Sequence, residues 1–365
     1  MARVTVVGAG IAGLAAALYA TTAGHHVVVL DRTDRLGGRG TSETIDGAPF
    51  GYGLHLLLKR GPMVNLVNKI SRLPLVVSAP RLDRLHVVGV GPFRPRNNVR
   101  QAAAHRRSLR QVDTTSPIVQ AASLLAGSGQ PAYGSRYSAL LKQRLTLVGE
   151  GWAGMVGRMA AALDEVGVLI EPHCTVTDIE TGRVTLEDGR TFESDVIVLA
   201  CGFSNAKRLL KSWDAHDLSL VRPVQVSTID VTLDSRPLAD KHGLLDVEEG
   251  AYMLDLANIQ PRWGLRGAFL SAVMTEREGE GPEARLERLE RFMEHHATGW
   301  RRHVLHERKQ ASIVVQTTGQ KPAFDAYAAH GVLLAGEWVE CDHVLADAAA
   351  TTGRLSGQNI ASAMR

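Results

Sequence analysis

Residues 3–31 read RVTVVGAGIAGLAAALYATTAGHHVVVLD, and this stretch decides the fold. Val4 to Val7 are all β-branched and stop at a glycine, which predicts a buried strand. Gly8, Gly10 and Gly13 then stand in G-x-G-x-x-G spacing, with Ala9, Ile11 and Ala12 between them. Ile11 to Thr22 is rich in Ala and Leu and predicts a helix. Gly24 falls where such a helix would stop. His26 to Leu30 predicts a second buried strand, and Asp31 follows it. Each glycine has a separate physical task. The first permits a tight turn, the second lets backbone approach a pyrophosphate, and the third lets helix and strand pack closely. The helix N-terminus offers unpaired N–H groups and a partial positive charge to phosphate. Asp31 is placed to accept hydrogen bonds from a ribose. No charged residue occurs from Val4 to Leu30, a run long enough to cross a bilayer. Its glycines, Thr21, Thr22, His25 and His26 divide it into strand, turn, helix, turn and strand, so no membrane span is expected.

The remaining composition narrows the class. The 365 residues are 45% hydrophobic and 22% charged, which excludes disordered, collagen-like and coiled-coil chains and allows two domains. A net charge of +3 and an aromatic content of 5% give no footing for a nucleic-acid partner. Cys174, Cys201 and Cys341 have neither disulfide-framework nor metal-site spacing, so no metal is expected. Free thiols fit a reducing, cytoplasmic location.

After Asp31 the chain continues Arg32-Thr33-Asp34-Arg35-Leu36-Gly37-Gly38-Arg39-Gly40. A glycine pair next to a guanidinium suits a second phosphate clamp. This run resembles the segment after the second strand in the flavin-containing amine oxidase and phytoene desaturase superfamily. The resemblance implies FAD, with Gly37 and Gly38 near the pyrophosphate and Arg39 packed along it. Phe50 to His55, FGYGLH, is similar to the stretch that phytoene desaturase-like proteins run beside the flavin ring, although Gly51 stands where that family often has an acid. Two further blocks extend the likeness. Gly149 to Ala200 reads as a helix, short strands, a hairpin turn at Glu187-Asp188-Gly189 and a strand returning to the first sheet; the family places backbone corresponding to Val176 against the adenine. Gly331 to Arg354, GVLLAGEWVECDHVLADAAATTGR, resembles the family's closing motif. There Gly336 and Glu337 would lie near the ribityl chain, and a helix opening at Leu345 and Ala346 would aim its N-terminus at the flavin pyrimidine.

These blocks predict an α/β fold: a Rossmann-like FAD-binding domain from residues 1–75, 150–215 and 326–365, with a smaller α+β cap and substrate lobe from 76–149 and 216–325. In the lobe, Val224 to Leu233, Ala251 to Leu256 and Ala268 to Thr275 read as strands, and Pro282 to His296 as a helix with its charged face in solvent. No acid occurs between Asp83 and Asp113, an interval holding Arg84, His86, Arg94, Arg96, Arg100, His105, Arg106, Arg107 and Arg110. A solvated cap face is the plainer reading and a surface for anionic lipid or an acidic substrate the sharper one. Val87 to Gly91, VVGVG, lacks the third glycine of a second dinucleotide site.

The expected activity is an FAD-dependent dehydrogenase or oxidase taking a hydride from a small organic substrate to give C=C or C=N, with oxygen or another acceptor reoxidising the flavin. A redox-neutral isomerase or mutase, of which UDP-galactopyranose mutase is the nearest in length, and a non-catalytic flavin-binding protein are the alternatives. Acid–base candidates are His343 with Asp342 orienting it, because imidazole transfers protons near neutral pH, and His55 in reserve. Each also reads plainly, as a solvated loop or a packed histidine.

Overall fold

The computed structural model describes residues 1–94, 98–111, 113–127, 145–213 and 215–364. The opening stretch folds as its pattern predicts: strand β1 (Arg3–Val7), helix α1 (Ile11–Thr22) and strand β2 (His26–Leu30). β1 sits at the centre of a five-stranded parallel sheet in the order Leu169–Glu171, β2, β1, Val196–Leu199, Val332–Leu334. Three distant parts of the sequence therefore meet in one sheet. Strands buried on both faces need apolar residues at successive positions. Val196, Ile197, Val198 and Leu199 supply this, pointing alternately into the two cores that flank the sheet.

One face is covered by four helices: α1, α2 (Pro62–Ile70), Gly151–Glu165 and the closing helix Leu345–Gln358. The closing helix lies directly on α1. A Cβ at Gly353 would overlap the carbonyl of Ala12, and one at Gly357 would overlap that of Ala16. The other face carries the antiparallel strands Val176–Glu180, Arg183–Leu186 and Thr191–Glu193, with helix Phe203–Leu209.

A seven-stranded sheet forms the second body. Its order is Val304–Gly319, Val221–Leu233, Phe269–Thr275, Ala251–Asp255, Gly243–Asp246, Leu85–Val87 and Gly91–Pro92. One face packs under helix Pro282–His296. The opposite face is the apolar wall that Phe50, Leu56 and helix Pro117–Gly127 close over.

Several expectations need adjustment. The charged face of Pro282–His296 is not all in solvent, because Arg285 and Arg288 are buried. Arg285 donates to Ser227 Oγ and the Ala311 carbonyl, while Arg288 donates to Glu280 and the carbonyls of Glu249 and Thr275. Long side chains of this kind can be buried when every donor finds a partner. The longest strand, Val304–Gly319, has no counterpart in the sequence reading. It is half-exposed and runs through five consecutive polar residues, His306 to Gln310, so it lacks the signature of a core strand. The closing helix, which the sequence predicts to run from Leu345 to Met364, ends at Gln358, and a short 3-10 turn follows over Ile360–Ala363. In the basic interval, Arg94, Arg100, Arg106 and Arg107 are exposed; Arg96 and the side chains of His105 and Arg110 lie outside the described residues. No helix among the described residues is long and apolar enough to cross a membrane.

Candidate functional site

A cleft of about 560 Å³ runs along the C-terminal edge of the parallel sheet and under the seven-stranded one. Residues from all three predicted blocks line it.

The middle of the cleft is built from two glycine turns set face to face. Gly8 adopts φ +108°, where a Cβ would crowd the Ala200 carbonyl. A Cβ at Gly13 would overlap the Gly8 carbonyl, which is the close helix–strand packing expected of the third glycine. Gly10 differs from both. It N-caps α1 with ordinary φ −71°, and a Cβ there would meet nothing nearer than the Gly37 carbonyl at 4.0 Å. Gly37 donates to the Ala9 carbonyl at 2.8 Å, and Gly10 and Gly37 form a parallel β-bridge. A Cβ at Gly38 would lie 3.5 Å from the Gly10 Cα. Neither side chain nor capping residue fills the N-terminus of α1, so its N–H groups are available to a phosphate.

At one end lie Asp31, Arg32, Val176, Cys201 and Arg208. Asp31 does more than wait for a ribose. One carboxylate oxygen accepts from Ala9 N at 2.7 Å and the other from Thr33 N at 2.9 Å, so it fastens the glycine turn to the end of β2. The Val176 carbonyl accepts from Arg208 at 2.9 Å. Burial pushes the Cys201 thiol up to about 12, which keeps it protonated and unreactive.

At the other end Arg39 donates to Glu337 at 2.9 Å and to the Val314 carbonyl at 2.5 Å. Glu337 is buried, accepts from Thr317 Oγ1 at 3.0 Å, and its carbonyl receives the Lys321 ammonium at 2.7 Å. Burial holds the Lys321 ammonium below the usual lysine range. Gly336 adopts φ +151°, and a Cβ there would crowd the Trp338 indole. Leu345, Ala346 and Ala349 of the closing helix line this end, with Leu54, Leu56, Gln310, Ile313 and Val315 opposite. Leu345 is held at φ +55°, a left-handed conformation that a Leu seldom adopts.

The acid–base candidates lie elsewhere. His343 and Asp342 are not among the residues lining the cleft. His343 Nδ1 meets Thr351 Oγ1 at 3.2 Å, so the imidazole turns back along the closing helix. His55 is buried in the lobe, where Nε2 pairs with Asp230 Oδ2 at 2.9 Å and the ring packs edge-on to Phe269. It too is absent from the cleft lining. Arg208, Lys321, Thr317 and Gln310 come from segments without a motif, and only the three-dimensional fold brings them in. Tyr52, beside the Gly53 turn, is stacked between the guanidinium groups of Arg35 (4.1 Å) and Arg308 (4.5 Å).

A Rossmann-type turn, a second glycine clamp and a closing helix aimed at one cleft define a dinucleotide-binding flavoprotein oxidoreductase. A family model described as flavin containing amine oxidoreductase matches residues 119–361, and one described as NAD(P)-binding Rossmann-like domain matches residues 6–70. The first covers more than half of the chain, and the chain belongs to the flavin-containing amine oxidoreductase family. It is an enzyme, and its cofactor is FAD. A phytoene desaturase (neurosporene-forming) from Rhodobacter capsulatus is 51% identical over 53 residues, which is 14% of this chain and 10% of that protein. An oxidoreductase from Methanosarcina mazei superposes with a TM-score of 0.76 at 15% identity, covering 97% of this chain and 99% of that one. Cyclohexylamine oxidase from Brevibacterium oxydans superposes with a TM-score of 0.69 at 17% identity, covering 100% and 98%. At these identities the structural likeness shows the fold.

Proposed function

We propose that this protein oxidises an apolar substrate by removing a hydride from a C–H bond, giving C=C or C=N, with oxygen or another acceptor completing the cycle. The observation that carries the placement of FAD is the open space in front of Gly10, beside the bridged Gly37–Gly38 pair, at the uncapped N-terminus of α1. A Cβ at Gly10 would project into that slot, so the space suits a negatively charged group that approaches the backbone closely. The pyrophosphate then lies there, with Ile11 and Ala12 opening the helix beneath it. The adenosine lies toward Asp31, Arg32 and Val176, and the flavin toward Gly336, Glu337, Leu345 and Ala346. When bound, FAD supplies the hydride acceptor.

The protein's own residues bind, orient and dry the site. Arg39 balances charge between the phosphates and Glu337. The uncapped N-terminus of the closing helix stabilises negative charge at the flavin end. Leu54, Leu56, Ile313 and Val315 adjoin the apolar wall of the lobe and exclude water from the reacting carbon. That wall favours a substrate with an apolar body. The separate five- and seven-stranded sheets support dividing the chain into a flavin-binding part (1–75, 150–215, 326–365) and a cap and lobe (76–149, 216–325). Proton removal is assigned to none of His343, Asp342 and His55, since a base must reach the substrate.

The test is twofold. FAD should appear in the supernatant of heat-denatured protein by chromatography. Under anaerobic conditions the bound flavin should bleach with apolar amines or polyenes and not with NADPH. Protein that releases no flavin, or a flavin reduced by NADPH alone, sinks the reading.

A further inference from the structure

The closing helix carries, beside the residues that line the flavin end of the cleft, a buried carboxylate that the proposed reaction has not used. Asp347 is the third residue of Leu345–Gln358 and so lies within one turn of Leu345 and Ala346, which line the cleft. It is buried, and its Oδ1 accepts from Met63 N at 2.9 Å in the first turn of α2. Gly61, the N-cap of α2, is the space for it: a Cβ there would overlap both carboxylate oxygens. Two helix N-termini thus converge on one carboxylate. The register of the closing helix cannot relax away, because Gly353 and Gly357 lock it against the α1 backbone.

On the placement of FAD given above, the same helix N-terminus faces the pyrimidine edge of the flavin. A carboxylate and a charged reduced flavin then compete for one source of positive potential. We propose that Asp347 is a positioning residue for the redox step: it takes up one proton from solvent when the flavin gains charge, and so couples flavin reduction to pH. The balance is simple. The substrate's hydride carries two electrons to the flavin and leaves it with one negative charge. Separately, a solvent proton converts the Asp347 carboxylate to the acid, which keeps its acceptor oxygen on Met63 N and no longer opposes that charge.

The surroundings permit this. Burial pushes the Asp347 carboxyl up to about 6, opposed by the single Met63 N–H bond. The elements packed on the closing helix are α1, α2, Val332–Leu334 and Leu57–Leu58. Their ionisable side chains are Tyr19 on α1 and Lys69 in the last turn of α2, with Lys59 and Arg60 in the turn before α2 and Arg354 further along the closing helix itself. None of these five forms an ion pair with Asp347 among the described residues. His343, in the loop before the helix, directs Nδ1 to Thr351 Oγ1 one turn past Asp347. The carboxyl's charge is therefore balanced by peptide dipoles, which a nearby reduced flavin can outweigh.

The experiment is a redox titration of the FAD-loaded protein with indicator dyes from pH 5 to 9, for wild type and Asp347→Asn. Asn retains an acceptor for Met63 N and cannot titrate. Each linked proton changes a two-electron equilibrium tenfold per pH unit, which is about 30 mV. The wild-type potential should fall more steeply than that of the variant by this amount, over a window that opens near pH 6 and extends upward. A second measurement uses wild-type protein alone: dithionite reduction in weak buffer with a pH indicator, at a pH alkaline enough that free FAD gives the hydroquinone anion and takes up a single proton, should show more proton uptake per flavin than free FAD shows in the same buffer. Equal slopes, or uptake no greater than that of free FAD, overturn the role of Asp347 while leaving a reducible bound flavin intact. Protein that binds no FAD overturns this inference and the proposed function together.

Discussion

Arg39 and Glu337 stand 298 residues apart and meet at 2.9 Å beside the cleft. Through them the clamp after β2, the closing motif and the long strand Val304–Gly319 become one unit, since Arg39 also holds Val314 and Glu337 also holds Thr317. The pair is unequal: Glu337 is almost fully buried, whereas the Arg39 side chain is 41% exposed. Removing the arginine leaves a buried carboxylate short of a partner, and removing the acid leaves a solvated guanidinium. Arg39→Met should therefore cost more than Glu337→Gln, by about 1–3 kcal/mol in FAD affinity. Arg39→Lys should recover little, because an ammonium cannot span Glu337 and Val314 as a planar fork does. Fluorescence titration of the apoprotein with FAD measures the order, and a reversed order refutes this account.

Gly10 and Gly13 separate binding from folding. Gly10→Ala adds a methyl to open space at an unstrained φ, so the apoprotein should melt within about 0.5 kcal/mol of wild type. FAD affinity should fall at least tenfold, because the methyl fills the phosphate slot. Gly13→Ala drives a methyl into the Gly8 carbonyl and should destabilise the fold itself by roughly 1–3 kcal/mol. Unchanged FAD binding by Gly10→Ala would show that the pyrophosphate lies elsewhere.

The two histidine candidates also part company. His343→Ala should reduce its flavin in single turnover at the wild-type rate, since the imidazole faces Thr351 and not the cleft. Loss of a general base typically costs about 10²–10⁴-fold, so a drop of that size would restore His343 to the chemistry. His55→Ala should instead show in stability. Among the described residues it removes the one hydrogen-bond partner of Asp230 Oδ2, whose Oδ1 has none. A lowered melting temperature with full flavin reduction is the expected result.

What the sequence revealed and what it hid follow one physical line. Residues 3–31 are legible because a dinucleotide turn demands particular residue types at fixed local spacing, and the helix and strands around it obey short-range rules. Gly37, Gly38, Glu337 and Leu345 are legible through resemblance, since their motifs are also local. Arg208, Thr317 and Lys321 are not, because Arg208 reaches the cleft, and Thr317 and Lys321 reach Glu337 behind it, only through strand order and packing. The strand Val304–Gly319 escapes for another reason. Its polar run from His306 to Gln310 resembles a solvated segment until Val221–Leu233 pairs with it. The burial of Arg285 and Arg288 is hidden in the same way, as charge pattern alone cannot show that carbonyls of neighbouring strands will receive them.

Asp255 carries a pH dependence of stability that can be isolated. It is fully buried at the end of strand Ala251–Asp255, where Oδ1 accepts from Ala257, Asn258 and Phe269, while Oδ2 has no hydrogen-bond partner among the described residues. Burial pushes its carboxyl up to about 6, against those N–H bonds. The unfolded value is near 3.9. Between the two values the folded state binds more protons than the unfolded one, so stability is fullest below about pH 4 and is lost as pH rises through 6. A shift of this size corresponds to on the order of 2–3 kcal/mol. Asp255→Asn keeps a carbonyl oxygen for the three N–H donors and does not titrate. Urea unfolding of both proteins at pH 4.5 and 7.5 should therefore show the variant gaining on wild type as pH rises. Other titrating groups, Asp347 and His242 among them, are common to both proteins and cancel in the difference. A stability difference that is the same at the two pH values would mean that Asp255 ionises in the fold as easily as in the unfolded chain.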